Sequence, residues 1–86
     1  MSETILQYNL TIDGVPTDAA SVVLSDPTGT YGVRRTDTLA IVVAANTPMV
    51  HAGTGYYTYS FTNPADGITY QYWLKIVYAS GITTYI

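Results

Sequence analysis

Gly55-Tyr56-Tyr57-Thr58-Tyr59-Ser60-Phe61 is the stretch that decides the fold class. Tyr57, Tyr59 and Phe61 alternate with Tyr56, Thr58 and Ser60, so one face is aromatic and the other mixed. A glycine opens the run and Asn63-Pro64 closes it, the pattern of a half-buried β-strand. By parity Tyr57, Tyr59 and Phe61 belong to a core, which leaves Tyr56 on the opposite face. Nothing in the run is a catalytic group.

Strand-length pieces separated by turn chemistry extend in both directions from this run. Asp13-Gly14-Val15-Pro16, Asp26-Pro27-Thr28-Gly29, Gly53-Thr54-Gly55, Asn63-Pro64-Ala65-Asp66-Gly67 and Ala79-Ser80-Gly81 all read as turns. A first strand is expected over Thr4–Ile12, with Leu6, Tyr8, Leu10 and Ile12 on one face. A second spans Ala19–Ser25, with Ala20, Val22 and Leu24 pointing one way. Tyr31–Arg35 and Leu39–Ala44 supply two short strands, and Pro48-Met49-Val50 a brief edge piece. Ile68–Tyr78 is the longest expected strand, with Tyr70, Tyr72, Leu74, Ile76 and Tyr78 on one side. Thr69, Gln71, Trp73, Lys75 and Val77 lie opposite. Ile82–Ile86 closes the chain as an expected sheet edge. No window repeats apolar residues at helical spacing, so crossover helices are not expected. Six or seven short strands without crossovers predict a single-domain, all-β, antiparallel sandwich of two sheets over residues 1–86.

Composition narrows the function classes. The chain has 86 residues, 48% of them hydrophobic, which suffices for one core. Charged residues are 10%, against roughly 25% in an ordinary soluble domain. Its surface must therefore be built from Thr, Ser, Asn, Gln and Tyr, which resists contact with neighbours poorly. Net charge is −3, and Arg34, Arg35 and Lys75 are the whole complement of cations. That is too few to neutralise a phosphate backbone, so nucleic-acid binding is not expected. The longest apolar run, Leu39–Ala45, is far short of the roughly 20 residues of a membrane helix, and no membrane partner is expected. Met1-Ser2-Glu3-Thr4 has neither the basic nor the apolar region of a secretory signal, which predicts synthesis in the cytoplasm. There are no cysteines, and with them go disulfides, thiolate metal sites and thiol nucleophiles.

The order of the motifs adds a resemblance. Asp13-Gly14-Val15-Pro16-Thr17-Asp18-Ala19 leads into Ser21-Val22-Val23-Leu24. Asp26-Pro27-Thr28-Gly29, Gly55-x-Tyr57-x-Tyr59-x-Phe61 and a tyrosine-rich strand from Tyr70 follow. From about Tyr8 to Tyr78 this resembles the immunoglobulin-like and transthyretin-like sandwiches. More narrowly it resembles short proteins of that class encoded in tailed bacteriophages and prophages near virion structural genes. The resemblance implies a non-enzymatic decoration, neck, tail or adhesive module with no cofactor. Its implied partners are other virion structural proteins, and its implied location is the virion. Self-association is expected separately, from the low charge and the C-terminal edge strand. The chain lacks the cysteine pair of antibody-type domains.

Candidate sites are few. His51 is the single histidine, and without a companion it reads as a surface residue beside a hairpin rather than a base or metal ligand. Asp13, Asp18, Asp26, Asp37 and Asp66 lack the dense spacing of a calcium loop. Asp13, Asp26 and Asp66 are expected to hydrogen-bond their own turns. In Arg34-Arg35-Thr36-Asp37 one arginine is expected to pair with Asp37 or Asp26, and the other either faces a partner or sits in a solvated loop, the commoner outcome. Tyr56 and Trp73 are the outward aromatics by parity, although a strand buried on both faces would turn Trp73 inward. The expected contact residues are Tyr56, Trp73, Lys75, Arg34 and Tyr85. Two other readings stand beside a virion module. Stacking of Tyr56 and Trp73 on a glycan requires both on one flat face. A small enzyme or inhibitor would present Asn46-Thr47-Pro48-Met49 as an exposed loop.

Overall fold

A computed structural model of the chain describes residues 3–64 and 67–86. Strand β1 (Glu3–Asn9) runs into a two-residue hairpin formed by β2 (Thr11–Ile12) and β3 (Val15–Pro16). Next come β4 (Ser21–Leu24), β5 (Val33–Arg35), β6 (Ile41–Val43), β7 (Thr47–Pro48), β8 (Val50–Gly53) and β9 (Tyr56–Thr62). The chain closes with β10 (Tyr70–Tyr72), β11 (Leu74–Val77) and β12 (Thr83–Tyr85). All pairings are antiparallel.

One sheet is β1–β9–β8. Leu6 faces Tyr59, Tyr8 faces Tyr57 and Thr4 faces Phe61, so the aromatic side of the Gly55 run is the inner face. The other layer is four strands wide once its interruptions are traced. β10 and β11 are two halves of one strand divided at Trp73, and β4 and β5 run collinearly beside them. Leu24 lies opposite Leu74 and Val33 opposite Tyr72. At the break the Ser25 N–H donates to Trp73 O at 3.0 Å and the Trp73 N–H to Gly32 O at 3.4 Å. Residues 26–31 are thus a loop expelled from a continuous ladder. The outer neighbour repeats the device, since β7 pairs with β4 and β6 with β5, with a turn at 44–46 between them. The second sheet therefore reads β12, β10/β11, β4/β5, β6/β7, which makes the fold an all-β antiparallel sandwich of three strands on four.

The core lies between the layers. Leu6, Tyr57 and Phe61 come from the three-stranded sheet, and Val22, Leu24, Val33, Val43, Leu74 and Ile76 from the four-stranded one. Met49, also buried, sits where the chain passes from one sheet to the other. The Phe61 ring meets Tyr70 edge-on with centroids 5.2 Å apart, a favoured aromatic geometry across the layers.

Several sequence expectations need correction. Ile12 does not join the core face and is 46% exposed. The ladder with β9 ends at Leu10, whose carbonyl accepts from the Thr17 N–H, so the chain leaves the sheet before Ile12. Asp13 and Gly14 then turn the hairpin, both with positive φ, as a tight Asp-Gly turn requires. Ala20 is exposed rather than inward. The strand expected over Ile68–Tyr78 is divided at Trp73, and Tyr72 is 43% exposed despite its core parity. β12 with Ile86 covers the neighbouring edge only as far as Leu74, so the flank of Tyr72 is open.

Candidate functional site

The two motifs that carried the resemblance interlock. Gly55 has a φ of +66°, and a Cβ there would lie 2.6 Å from Leu10 O and 2.8 Å from Thr17 N. Its N–H donates to Asp18 Oδ1 at 2.7 Å, and its carbonyl accepts from the Leu10 N–H at 2.7 Å. Two residues on, the Tyr57 hydroxyl accepts from the Ala19 N–H at 3.0 Å. The opening glycine and first core tyrosine of the Gly-x-Tyr-x-Tyr-x-Phe run therefore hold the segment that crosses between the sheets.

This node also gives His51 the companion that sequence reasoning did not find. His51 Nε2 lies 2.9 Å from Asp18 Oδ1, and its ring centroid is 5.2 Å from that of Tyr57. The Gly55 N–H, then the His51 hydrogen bond, hold the Asp18 carboxyl below its ordinary range; slight burial opposes them, and the histidine's charge adds to them. Asp18, His51, Tyr57 and Ser21 line a shallow depression of about 260 Å³. The residue types would suit nucleophilic catalysis, but the geometry does not assemble it. Among the described residues no hydrogen bond joins Ser21 to His51, and both members of the His–Asp pair are about half exposed. The node acts as a latch on the fold.

Two other carboxylates, Asp26 and Asp37, also serve the chain. Asp26 is buried at the mouth of the expelled loop and accepts from the Thr28 hydroxyl, the Thr30 N–H at 2.6 Å and the Tyr31 N–H at 3.0 Å. Burial alone would raise its pKa, yet these donors overcome it and bring the value down to about 2. Arg35 grips Asp37 through two hydrogen bonds of 2.9 and 2.7 Å. The Arg35 hydrogen bonds, assisted by the Thr38 N–H against slight burial, lower Asp37 to about 2. Asp66, expected to cap its own turn, lies outside the described residues. No cluster of three or more His, Cys, Asp or Glu suited to a metal occurs among the described residues. Among the described residues no helix is long and apolar enough to cross a membrane.

The five expected contact residues divide between two surfaces. Tyr85, Lys75, Val23 and Pro48 form one row across all strands of the four-stranded sheet, each opposite the next. Val23 stands between the buried Val22 and Leu24, so the row is on the outer face. Trp73, half-buried, shares that parity. Arg34 lies opposite both Gln71 and Ile41, donates from Nε to Gln71 Oε1 at 3.0 Å, and holds its guanidinium 4.3 Å above the Tyr31 ring centroid. Arg34 is thus fixed in place by its cross-strand neighbour Gln71 and by Tyr31 at the end of the expelled loop. Tyr56 is on the far side of the molecule, on the outer face of the three-stranded sheet. There Ile5, Val50, Gln7, Thr58 and Ser60 join it around a depression of about 350 Å³. Tyr56 and Trp73 do not share a face. Val23, Pro48 and Ile41 were missed as surface neighbours because parity places a residue on a face but only register supplies its cross-strand partners.

No family model, no curated protein and no solved structure matches the chain.

Proposed function

We propose that this chain is a non-catalytic structural and interaction module of a tailed-phage-like particle, made in the host cytoplasm and carried on the virion. It contacts neighbouring virion proteins through the outer face of its four-stranded sheet. The observation that carries this reading is the convergence of Trp73, Lys75, Arg34 and Tyr85 on that one face, with Val23, Pro48 and Ile41 filling the spaces between them. Aromatic and arginine side chains on a preformed sheet bind with little loss of side-chain freedom, as protein interfaces favour. The low charge of the chain fits close packing beside neighbours, and the resemblance to short phage sandwiches supplies the particle.

The glycan reading required Tyr56 and Trp73 on one face; their separation removes that platform and leaves Trp73 as its single stacking group. Immunogold labelling of particles from cells producing the tagged chain tests the main reading. Label on heads, necks or tails that is lost in Trp73→Ala/Lys75→Glu supports it. Wild-type protein found free in the soluble fraction, with particles unlabelled, overturns it. A glycan-array signal abolished by Trp73→Ala favours the sugar-binding alternative.

A further inference from the structure

The sandwich exposes four sheet edges, and three of them are blunted. β8 carries a bulge between His51 and Gly53. The β6/β7 edge is interrupted by the turn at 44–46, contains Pro48 and shifts register beside Arg34. β12 is three residues long, and the β10 flank that it leaves bare beyond Leu74 is also only three residues. Proline, bulges and shortness are the devices that keep strand edges from pairing with other chains. β1 has none of them. It runs seven residues without proline, lysine or bulge, and Glu3 at one end is its sole charge.

The phase of its ladder shows what this edge offers. The Leu10 N–H donates to the carbonyl of Gly55, the residue opposite it, so Leu10 is in a hydrogen-bonded pair. Alternation along an antiparallel ladder then directs the backbone groups of Thr4, Leu6 and Tyr8 to β9. Those of Glu3, Ile5, Gln7 and Asn9 point away from it. No hydrogen bond occupies these outward groups among the described residues. Ile5, on the outer face of this strand, is 61% exposed, and Val50 two strands away is 60% exposed.

We propose that β1 is a docking strand for the β1 of a second copy of this chain, joining two three-stranded sheets into one six-stranded antiparallel sheet. The sequence Glu3-Thr4-Ile5-Leu6-Gln7-Tyr8-Asn9 is self-complementary about Leu6. Antiparallel pairing centred there sets Glu3 against the Asn9 amide of the second copy, Thr4 against Tyr8, Ile5 against Gln7 and Leu6 against Leu6. The carboxylate meets a neutral hydrogen-bond donor, and like charges do not meet. The register aligns Glu3, Ile5, Gln7 and Asn9 with one another, so the outward N–H and C=O groups are those that bond across the two-fold axis. The two Ile5 side chains become diagonal neighbours on the outer face. The inference rests on the reading of the chain as an interaction module, but it uses a different surface from the four-stranded face.

Sedimentation equilibrium of the whole chain over a wide concentration range tests it. Wild type is expected to dimerise. Gln7→Pro removes an outward N–H that β9 does not use, and Ile5→Lys places a charge on the pairing strand. Each should weaken dimerisation by at least about tenfold. Because the chain has no cysteine, register can be read directly. A mixture of the Ile5→Cys and Gln7→Cys variants should oxidise to the mixed dimer faster than to either homodimer. A strictly monomeric wild type overturns the proposal, as does dimerisation unchanged in both Gln7→Pro and Ile5→Lys. Preference for either homodimer over the mixed one also overturns it. Loss of dimers with particle labelling retained would remove this inference alone, whereas dimers without particle labelling would remove only the virion reading.

Discussion

The Asp18 carboxylate and the Gly55 N–H meet at 2.7 Å across 37 residues of sequence, tying the segment that crosses between the sheets to the hairpin that opens β9. Around this contact Gly55 is doubly constrained, by a left-handed backbone and by Leu10 and Thr17 backbone atoms where a Cβ would stand.

Gly55→Ala is therefore expected to cost at least about 3 kcal/mol, combining left-handed strain of roughly 1–2 kcal/mol with an overlap that backbone cannot relieve. Gly14→Ala has the strain without the overlap, since open space surrounds its Cβ position, and should cost about 1 kcal/mol. Urea midpoints of the two variants measure the difference. Equal midpoints would show that the packing around Gly55 contributes nothing.

His51 and Asp18 should separate in their effects. Their pair is solvent-exposed, so His51→Ala is expected to move the thermal midpoint by no more than about 4 °C. Asp18→Ala also strips the Gly55 N–H of its acceptor and should lower the midpoint further. Differential scanning calorimetry at neutral pH reads both, and the reverse order would show the histidine to be the main support.

Acid should unfold the protein partly through Asp26. Its folded pKa of about 2 lies below the unfolded value of 3.8, so the unfolded chain binds the proton more readily. The resulting stabilisation is present above 3.8 and is lost as pH falls through that value toward about 2. Asp26→Asn should be less stable than wild type at neutral pH and show a shallower decline across this acid window. Thermal midpoints measured at stepped pH check it, and parallel curves for the two proteins would assign the acid dependence elsewhere.

Burial predicts a sharp contrast between apolar residues within one sheet. Leu24 and Ile76 are fully enclosed, and truncating either to alanine should cost about 2–5 kcal/mol. Ile41 is 55% exposed on the outer face, and Ile41→Ala should change stability by no more than about 0.5 kcal/mol. Equilibrium denaturation distinguishes the two classes. If Ile41→Ala were as costly as Leu24→Ala, that face would be covered by another copy or partner.

Much of the fold is legible from neighbouring residues. Val22 and Leu24, Tyr57 and Phe61, and Leu74 and Ile76 all point inward as their alternation requires, because strand pleating assigns faces locally. The expelled loop at 26–31 is not legible in the same way. Asp26-Pro27-Thr28-Gly29 reads equally as a turn between strands and as an insertion within one. Pairing of both Leu24 and Val33 with the same partner strand decides between them. The contact residues show the same limit. Parity put Tyr56 and Trp73 outward, but each sheet has its own outward side, and strand order placed them on opposite faces. His51 and Asp18, 33 residues apart, meet only through the hairpin and crossover that Gly55 joins.

The sequence by itself determined most of the strands and turns and, within unbroken strands, the side that enters the core, since these follow from backbone sterics and a two-residue period. It did not show where Thr4–Ile12 and Ile68–Tyr78 break. Tertiary structure alone decided which strands are neighbours, which outward residues share a surface, and which edge is left open. Those outcomes depend on register between distant segments, where hydrogen bonds and side-chain packing act across the sheets. β1 illustrates both levels: its alternation is written in seven consecutive residues, while its unoccupied edge exists because β9 pairs with one side of it only.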